Sequence, residues 1–242
     1  ISSSYILYWY NISNQTRPSL DIRFHLWFSP TVSPSTDHLP FWKLSGNRSA
    51  GAGSGQGTYD IINWMGELQP SNWTKQYGWM DPDFLMTEYF TMDYISSRTE
   101  FTFWCLWSSP LLISTDLINP SSKKLEIIKN TEVLAINQDA SNTAGDRIYL
   151  GKNGEQIWSR PLANGDVCVV LYNSANGGMK GDAVTISIDW KMLPEWKNVV
   201  DIGSVEIRDL WEKKNLGNFM NGFNATLKAR DVKMLRLKRV EV

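Results

Sequence analysis

The chain has only two cysteines, Cys105 and Cys168, and two histidines, His25 and His38. Two cysteines cannot build a disulfide framework, and with two histidines they make no credible metal site. Charge of either sign is not in excess: 24 basic residues stand against 25 acidic ones, for a net charge of −1. With no like-charged run, nothing points to nucleic acid or an anionic membrane as partner. Long apolar runs are missing too, since none approaches the roughly 18 residues of a membrane span. Ile1 opens the sequence in place of Met, and no basic, apolar and cleavage-site series follows it. The expectation is a chain already processed, or one that begins partway through something longer. The glycine-rich stretch "GAGSGQG" (51–57) has neither the GK[ST] ending of a phosphate loop nor a G-x-G-x-x-G, and reads as a loop. No cofactor is expected.

What is present is a 42% hydrophobic chain of 242 residues, enough for one large core or two modest ones. Twelve tryptophans are many for this length. Their faces stack on sugars as well as on each other, although core is the commoner fate of any one of them. Five acceptor sequons begin at Asn11, Asn14, Asn47, Asn72 and Asn224, which leans toward a secretory route and a secreted or lysosomal/vacuolar location.

Two patterns of periodicity divide the chain. In 58–139, Thr58 is placed to cap "YDIINWMGEL", where Ile61, Ile62 and Met65 share a helical face. Ser97 and Glu100 have capping-box spacing ahead of "FTFWCLW", which Pro110 should stop. "PLLIS" reads as a short buried strand, and Asn119-Pro120 as cap and first residue of a helix through "SSKKLEIIKN". Helix, buried strand, helix implies an α/β layer with parallel strands. From about residue 145 come seven short runs, "RIYL", "EQIWSRP", "DVCVVLYN", "AVTISIDW", "VEIRDLW", "FNATLKA" and "VKMLRLKRV", separated by turn residues. Several alternate apolar with polar, as in an antiparallel sandwich. The expected division is 1–143 and 144–242. "SYILYWY" and "DIRFHLWF" near the N-terminus also read as strands.

Three segments carry a family resemblance: "YGWMDPDFL" (77–85), "FWCLWSSPLLISTDL" and "EVLAINQD". They are similar, in order and spacing, to the G-W-N-D-P-D-M/L, W-A-L-x-x-A-P-L-L and N-K-E-V-I-A-V/I-N-Q-D motifs of glycoside hydrolase family 27, the α-galactosidase family. "IWSRPLANGDVCVVLYN" and "IRDLWEKKNLG" continue the resemblance, which covers roughly residues 75–242. It implies a (β/α)8 barrel of TIM type followed by an antiparallel β-sandwich. A whole barrel takes about 250 residues. Only the C-terminal part of one is therefore expected in 1–143.

The resemblance implies hydrolysis of terminal α-galactosides by a retaining mechanism, in which two carboxylates about 5–5.5 Å apart flank the scissile bond. Asp81 and Asp83 could reach such a spacing if extended, with Cα atoms roughly 6.5 Å apart, and Pro82 favours extension at Asp81. Both hang from one strand end, however, whereas groups acting on opposite sides of a bond are more easily built from different strands. By resemblance Asp83 binds sugar hydroxyls and Phe84 lines the pocket, with Trp79 nearby as a stacking platform; Asp81 shapes the turn. The family's nucleophile motif, K-Y/W-D-x-C, has no counterpart here. Its acid/base motif, W-R-x-x-G-D, is matched best by "WKLSGN", which puts Lys43 at the Arg and Asn47 at the Asp. A register anchored on Arg48 puts Ala52 there instead. An amide has no proton to give at neutral pH, so Asn47 is no general acid. Lys43 keeps the charge without the planar fork of Arg. Weak or absent turnover by this chain alone is expected, with a non-catalytic carbohydrate-binding or structural module as the alternative.

Overall fold

The computed structural model describes residues 57–74, 78–87, 92–114, 121–175 and 183–240. The strands expected near the N-terminus, the glycine-rich stretch up to residue 56, Lys43 and Asn47 lie outside the described residues.

Helix α1, Thr58–Leu68, buries Ile61, Ile62 and Met65 on one face, as their spacing dictates. Its cap is Gly57 and not Thr58: the Gly57 N–H donates to the Asp60 carboxylate at 3.0 Å. The buried Thr58 hydroxyl donates to Glu100 at 3.4 Å. Helix α2, Tyr94–Leu106, starts three residues before Ser97, with Asp93 as cap accepting from the Ser96 N–H at 2.6 Å. Ser97 and Glu100 therefore form no capping box. Ser97 donates to the Thr87 carbonyl at 2.8 Å, and Glu100 takes the Met86 N–H at 2.8 Å. Burial on every side of α2 makes such interior polar partners possible. The helix ends with Ser108 in the left-handed region, φ 53°, before Pro110.

Leu85 and Ile113 form a parallel bridge, with the Leu85 N–H on the Leu112 carbonyl (2.6 Å) and the Ser114 N–H on the Leu85 carbonyl (3.2 Å). "PLLIS" thus pairs in parallel, with Leu111 and Leu112 buried. Helix α3, Ser122–Ile128, is capped by Ser121, two residues past the Asn119 expected as cap; Asn119 and Pro120 lie outside the described residues. Helix α4, Thr131–Asn137, is capped by Asn130, whose side chain accepts from Glu132 and Val133.

Eight strands follow: β1 Asp146–Leu150, β2 Glu155–Pro161, β3 Val167–Asn173, β4 Val184–Asp189, β5 Ser204–Asp209, β6 Lys214–Phe219, β7 Gly222–Leu227 and β8 Val232–Val240. They make a six-stranded antiparallel sheet, β1-β2-β3-β8-β5-β6, and a two-stranded one, β4-β7. Seven strands were expected; the eighth, β6, is mostly exposed "KNLGNF", with no apolar alternation to reveal it. It returns from β5 through Lys213, which takes the left-handed turn position at φ 50°.

Alternation assigns the two faces of the large sheet to two cores. Ile157, Val169, Leu171, Val205, Ile207, Leu235 and Leu237 face β4-β7, meeting Ile186, Ile188 and Leu227. Trp158, Cys168, Val170, Tyr172 and Met234 face the helices, packing with Phe101, Phe103, Trp104 and Trp107 of the α2 region. Strand β3 is consequently buried at all seven positions. Among the described residues, no helix is long and apolar enough to cross a membrane, and no cluster of three metal-type side chains occurs.

Candidate functional site

The loop between α1 and α2 carries the acidic pair. Asp83 has φ 79°, the left-handed region, so the segment is not extended through both acids. The Asp81 carboxylate accepts the Asp83 N–H at 3.0 Å, a side-chain turn that fixes the reversal. Asp and Asn tolerate this conformation better than other side chains, yet a non-glycine residue held there still marks a constrained site.

Three contacts hold the loop. The indole of the fully buried Trp104 donates to the Asp83 carbonyl at 2.8 Å. Glu100, completely buried on the same helix, takes the Met86 N–H. Between them, Leu85 is paired with the Leu112–Ser114 segment. Trp104 is itself fixed among aromatics: its ring centroid is 5.7 Å from that of Trp107, which lies 5.3 Å from Phe103. Phe103 meets Trp158 of β2 and Tyr172 of β3 edge-on at 5.1 and 5.2 Å. The position of Asp83 is in this way referred to the sandwich.

The partly exposed Asp83 uses Oδ1 to accept the Phe84 N–H at 2.7 Å, while Oδ2 has no hydrogen-bond partner among the described residues. Phe84 is half-buried and Trp79 is 39% exposed. Of the nine described tryptophans, only Trp79 and Trp73 are exposed, so most of the tryptophan excess is core. Chemically, the loop offers one carboxylate oxygen for a hydroxyl donor and an aromatic face nearby in sequence. Among 78–86 only Asp81 supplies a second carboxylate, and it is engaged in the turn. Glu100 and Trp104 are supports that sequence reasoning missed. An acid inside the apolar run "TEFTFWC" was the available signal for Glu100.

A cleft of about 510 Å³ lies elsewhere, between α4 and the end of the large sheet, lined in part by Glu132, Asp139, Arg208 and Arg236. Arg208 grips Glu132 with two bonds of 2.9 and 2.6 Å, and Arg236 holds Asp166 at 2.6 Å. These paired charges tie elements together; no residue of the 78–86 loop lines the cleft.

Comparison with known proteins fits this arrangement. Residues 52–139 match the family profile described as "Alpha galactosidase A", and residues 152–237 that of the "Alpha galactosidase C-terminal beta sandwich domain". Alpha-galactosidase 3 of Arabidopsis thaliana is 35% identical over 160 residues, 65% of this chain and 35% of the relative. Human alpha-N-acetylgalactosaminidase is 33% identical over 117 residues, 47% of this chain and 28% of the relative. The crystal structure of alpha-galactosidase I from Mortierella vinacea superposes with a TM-score of 0.67 at 31% identity, covering 75% of this chain and 44% of that one. The chain thus spans about a third of the length of these curated relatives. Its barrel segment and sandwich place it in glycoside hydrolase family 27, the α-galactosidase family, of which it represents a C-terminal portion.

Proposed function

We propose that the chain is the sugar-positioning, C-terminal part of an α-galactosidase-type glycoside hydrolase acting on terminal α-galactosides, with residues 1–143 as barrel segment and 144–242 as sandwich. The observation that carries this reading is Asp83: a left-handed carboxylate in the D-P-D motif, anchored by Trp104 and Asp81, with Oδ2 unengaged. A carboxylate so held can accept from sugar hydroxyls and fix the ring's orientation, a positioning role. Trp79, Phe84 and Lys43 complete the proposed sugar contacts. Retaining hydrolysis needs a nucleophile and an acid/base. Neither is assigned to a residue here, because K-Y/W-D-x-C is absent from the sequence and Asn47 stands at the acid/base position. That departure favours a second reading, carbohydrate binding without turnover. The sequons support a secreted or lysosomal/vacuolar setting.

Incubation with p-nitrophenyl α-D-galactoside should give no hydrolysis above background, while galactose titration shows weak binding that Asp83→Ala abolishes. Turnover lost on Asp83→Asn or Asp81→Asn would make one of these acids catalytic and overturn the assignment. Unchanged galactose affinity in Asp83→Ala would remove Asp83 from the site.

A further inference from the structure

Two of the five sequons fall on described residues, and the fold treats them differently. Asn72 sits in a 3-10 turn, Pro70–Asn72. Its sequon hydroxyl, on Thr74, is buried and spent on the Pro70 carbonyl at 3.0 Å. Asn224 lies on β7, paired with Ser187 of β4, and Thr226 is paired with Thr185. Alternate residues of a strand share a face. Asn224 and Thr226 therefore project together from the outer side of the β4-β7 sheet, both exposed, while Ala225 and Leu227 point into the core. The Asn224 amide has no hydrogen-bond partner among the described residues, and the exposed Thr226 hydroxyl meets that of Thr185 at 2.8 Å. Around it the outer face holds the small Thr185, Ser187 and Thr226, with the exposed Asp189 opposite Gly222 at the strand end.

We infer that Asn224 is an N-glycosylation site. The donor would be a lipid-pyrophosphate-linked oligosaccharide, supplied with its transferase in a secretory compartment. The Asn224 Nδ2 attacks the anomeric carbon, forming the N–C bond. The bond from that carbon to the pyrophosphate oxygen breaks, the lipid pyrophosphate leaves with the electron pair, and one amide proton passes to base. An extended Asn-x-Thr presents amide and hydroxyl on one exposed face, whereas the Asn72 sequon has its hydroxyl buried. The attached glycan lies over a two-stranded sheet whose two outer edges make no strand pairing among the described residues. Unpaired edges are sites of unwanted strand addition, and a bulky polar glycan there obstructs it. The inference depends on passage through that compartment and not on the sugar-binding role of Asp83.

The test is expression of the full chain behind a cleavable secretion signal in a eukaryotic host, followed by mass spectrometry of the tryptic peptide 215–228. The readout is the intact glycopeptide, because Asn221-Gly222 in the same peptide can deamidate spontaneously. A glycopeptide lost in Asn224→Gln and in Thr226→Ala, and retained in Thr226→Ser, is the expected result. Recovery of that peptide only in unmodified form, whether or not Asn72 carries a glycan, would overturn the assignment. So would a glycopeptide that survives Asn224→Gln.

Discussion

Glu195, in the 3-10 turn Pro194–Trp196 between β4 and β5, shows how one side chain can tie stability to pH. Its Oε2 is buried without a hydrogen-bond partner among the described residues. Burial pushes the carboxyl above its ordinary range, and the Ser159 hydroxyl opposes this only in part. A carboxyl raised in the folded state holds its proton longer than in the unfolded chain. Its contribution is fully present below the unfolded value and is lost as pH rises through the folded one. We expect Glu195→Gln to raise Tm at neutral pH by a few degrees, the size of about 1 kcal/mol in a chain of this length. The gain should vanish in acid, where Glu195 is protonated in both states. Thermal melts at the two pH values decide it, and a wild type more stable than the variant at neutral pH would refute it.

At the level of elements, Arg160 of β2 is the clearest joint. It is completely buried, and its Nη1 donates to the carbonyls of Cys105 and Leu106 at 3.1 and 3.3 Å. Those carbonyls close α2, where they also accept from the Ser108 and Gly145 N–H groups and where a cation is favoured by the helix dipole. Nε and Nη2 find no hydrogen-bond partner among the described residues, and burial lowers the guanidinium pKa from its usual value. Arg160→Ala should destabilise by roughly 3 kcal/mol, from the cavity and the two lost hydrogen bonds. Arg160→Met should recover part of that by refilling the space. Urea titrations that leave the Ala variant at the wild-type midpoint would show that the joint contributes nothing. Periodicity made some elements legible and left others hidden. The apolar face of α1 and the alternation of β4 and β8 could be read directly. The caps Gly57 and Asp93 could not, because Thr58 and Ser97 are equally good caps in isolation and only burial against Glu100 and Thr87 diverts them. Strand β6 carries no pattern, since its hairpin with β5 selects it. Arg160 reads as an outward charge until α2 is laid over it. Asp83 was named from its motif, but no local rule announces its left-handed turn.

For the whole molecule, the two cysteines report on the seam between helices and sheet. Cys105 of α2 and Cys168 of β3 are fully buried in the same core. Burial pushes the Cys168 thiol up to about 12 and the Cys105 thiol well above its ordinary value, despite the nearby Arg160 charge. Thiolates are the reactive species, so neither cysteine should alkylate in the native protein near neutral pH. In rising urea, labelling of both should begin at the midpoint of the tryptophan fluorescence transition. Labelling at lower urea would mean that the helices lift off the sheet before the sandwich unfolds. A sheet buried on both faces also constrains heredity. A recombination crossover between α4 and β1 would part Phe103 from Trp158 and Tyr172, and Arg160 from the end of α2. A foreign sandwich exchanged at that point would have to bring α2 a matching aromatic face and a buried arginine.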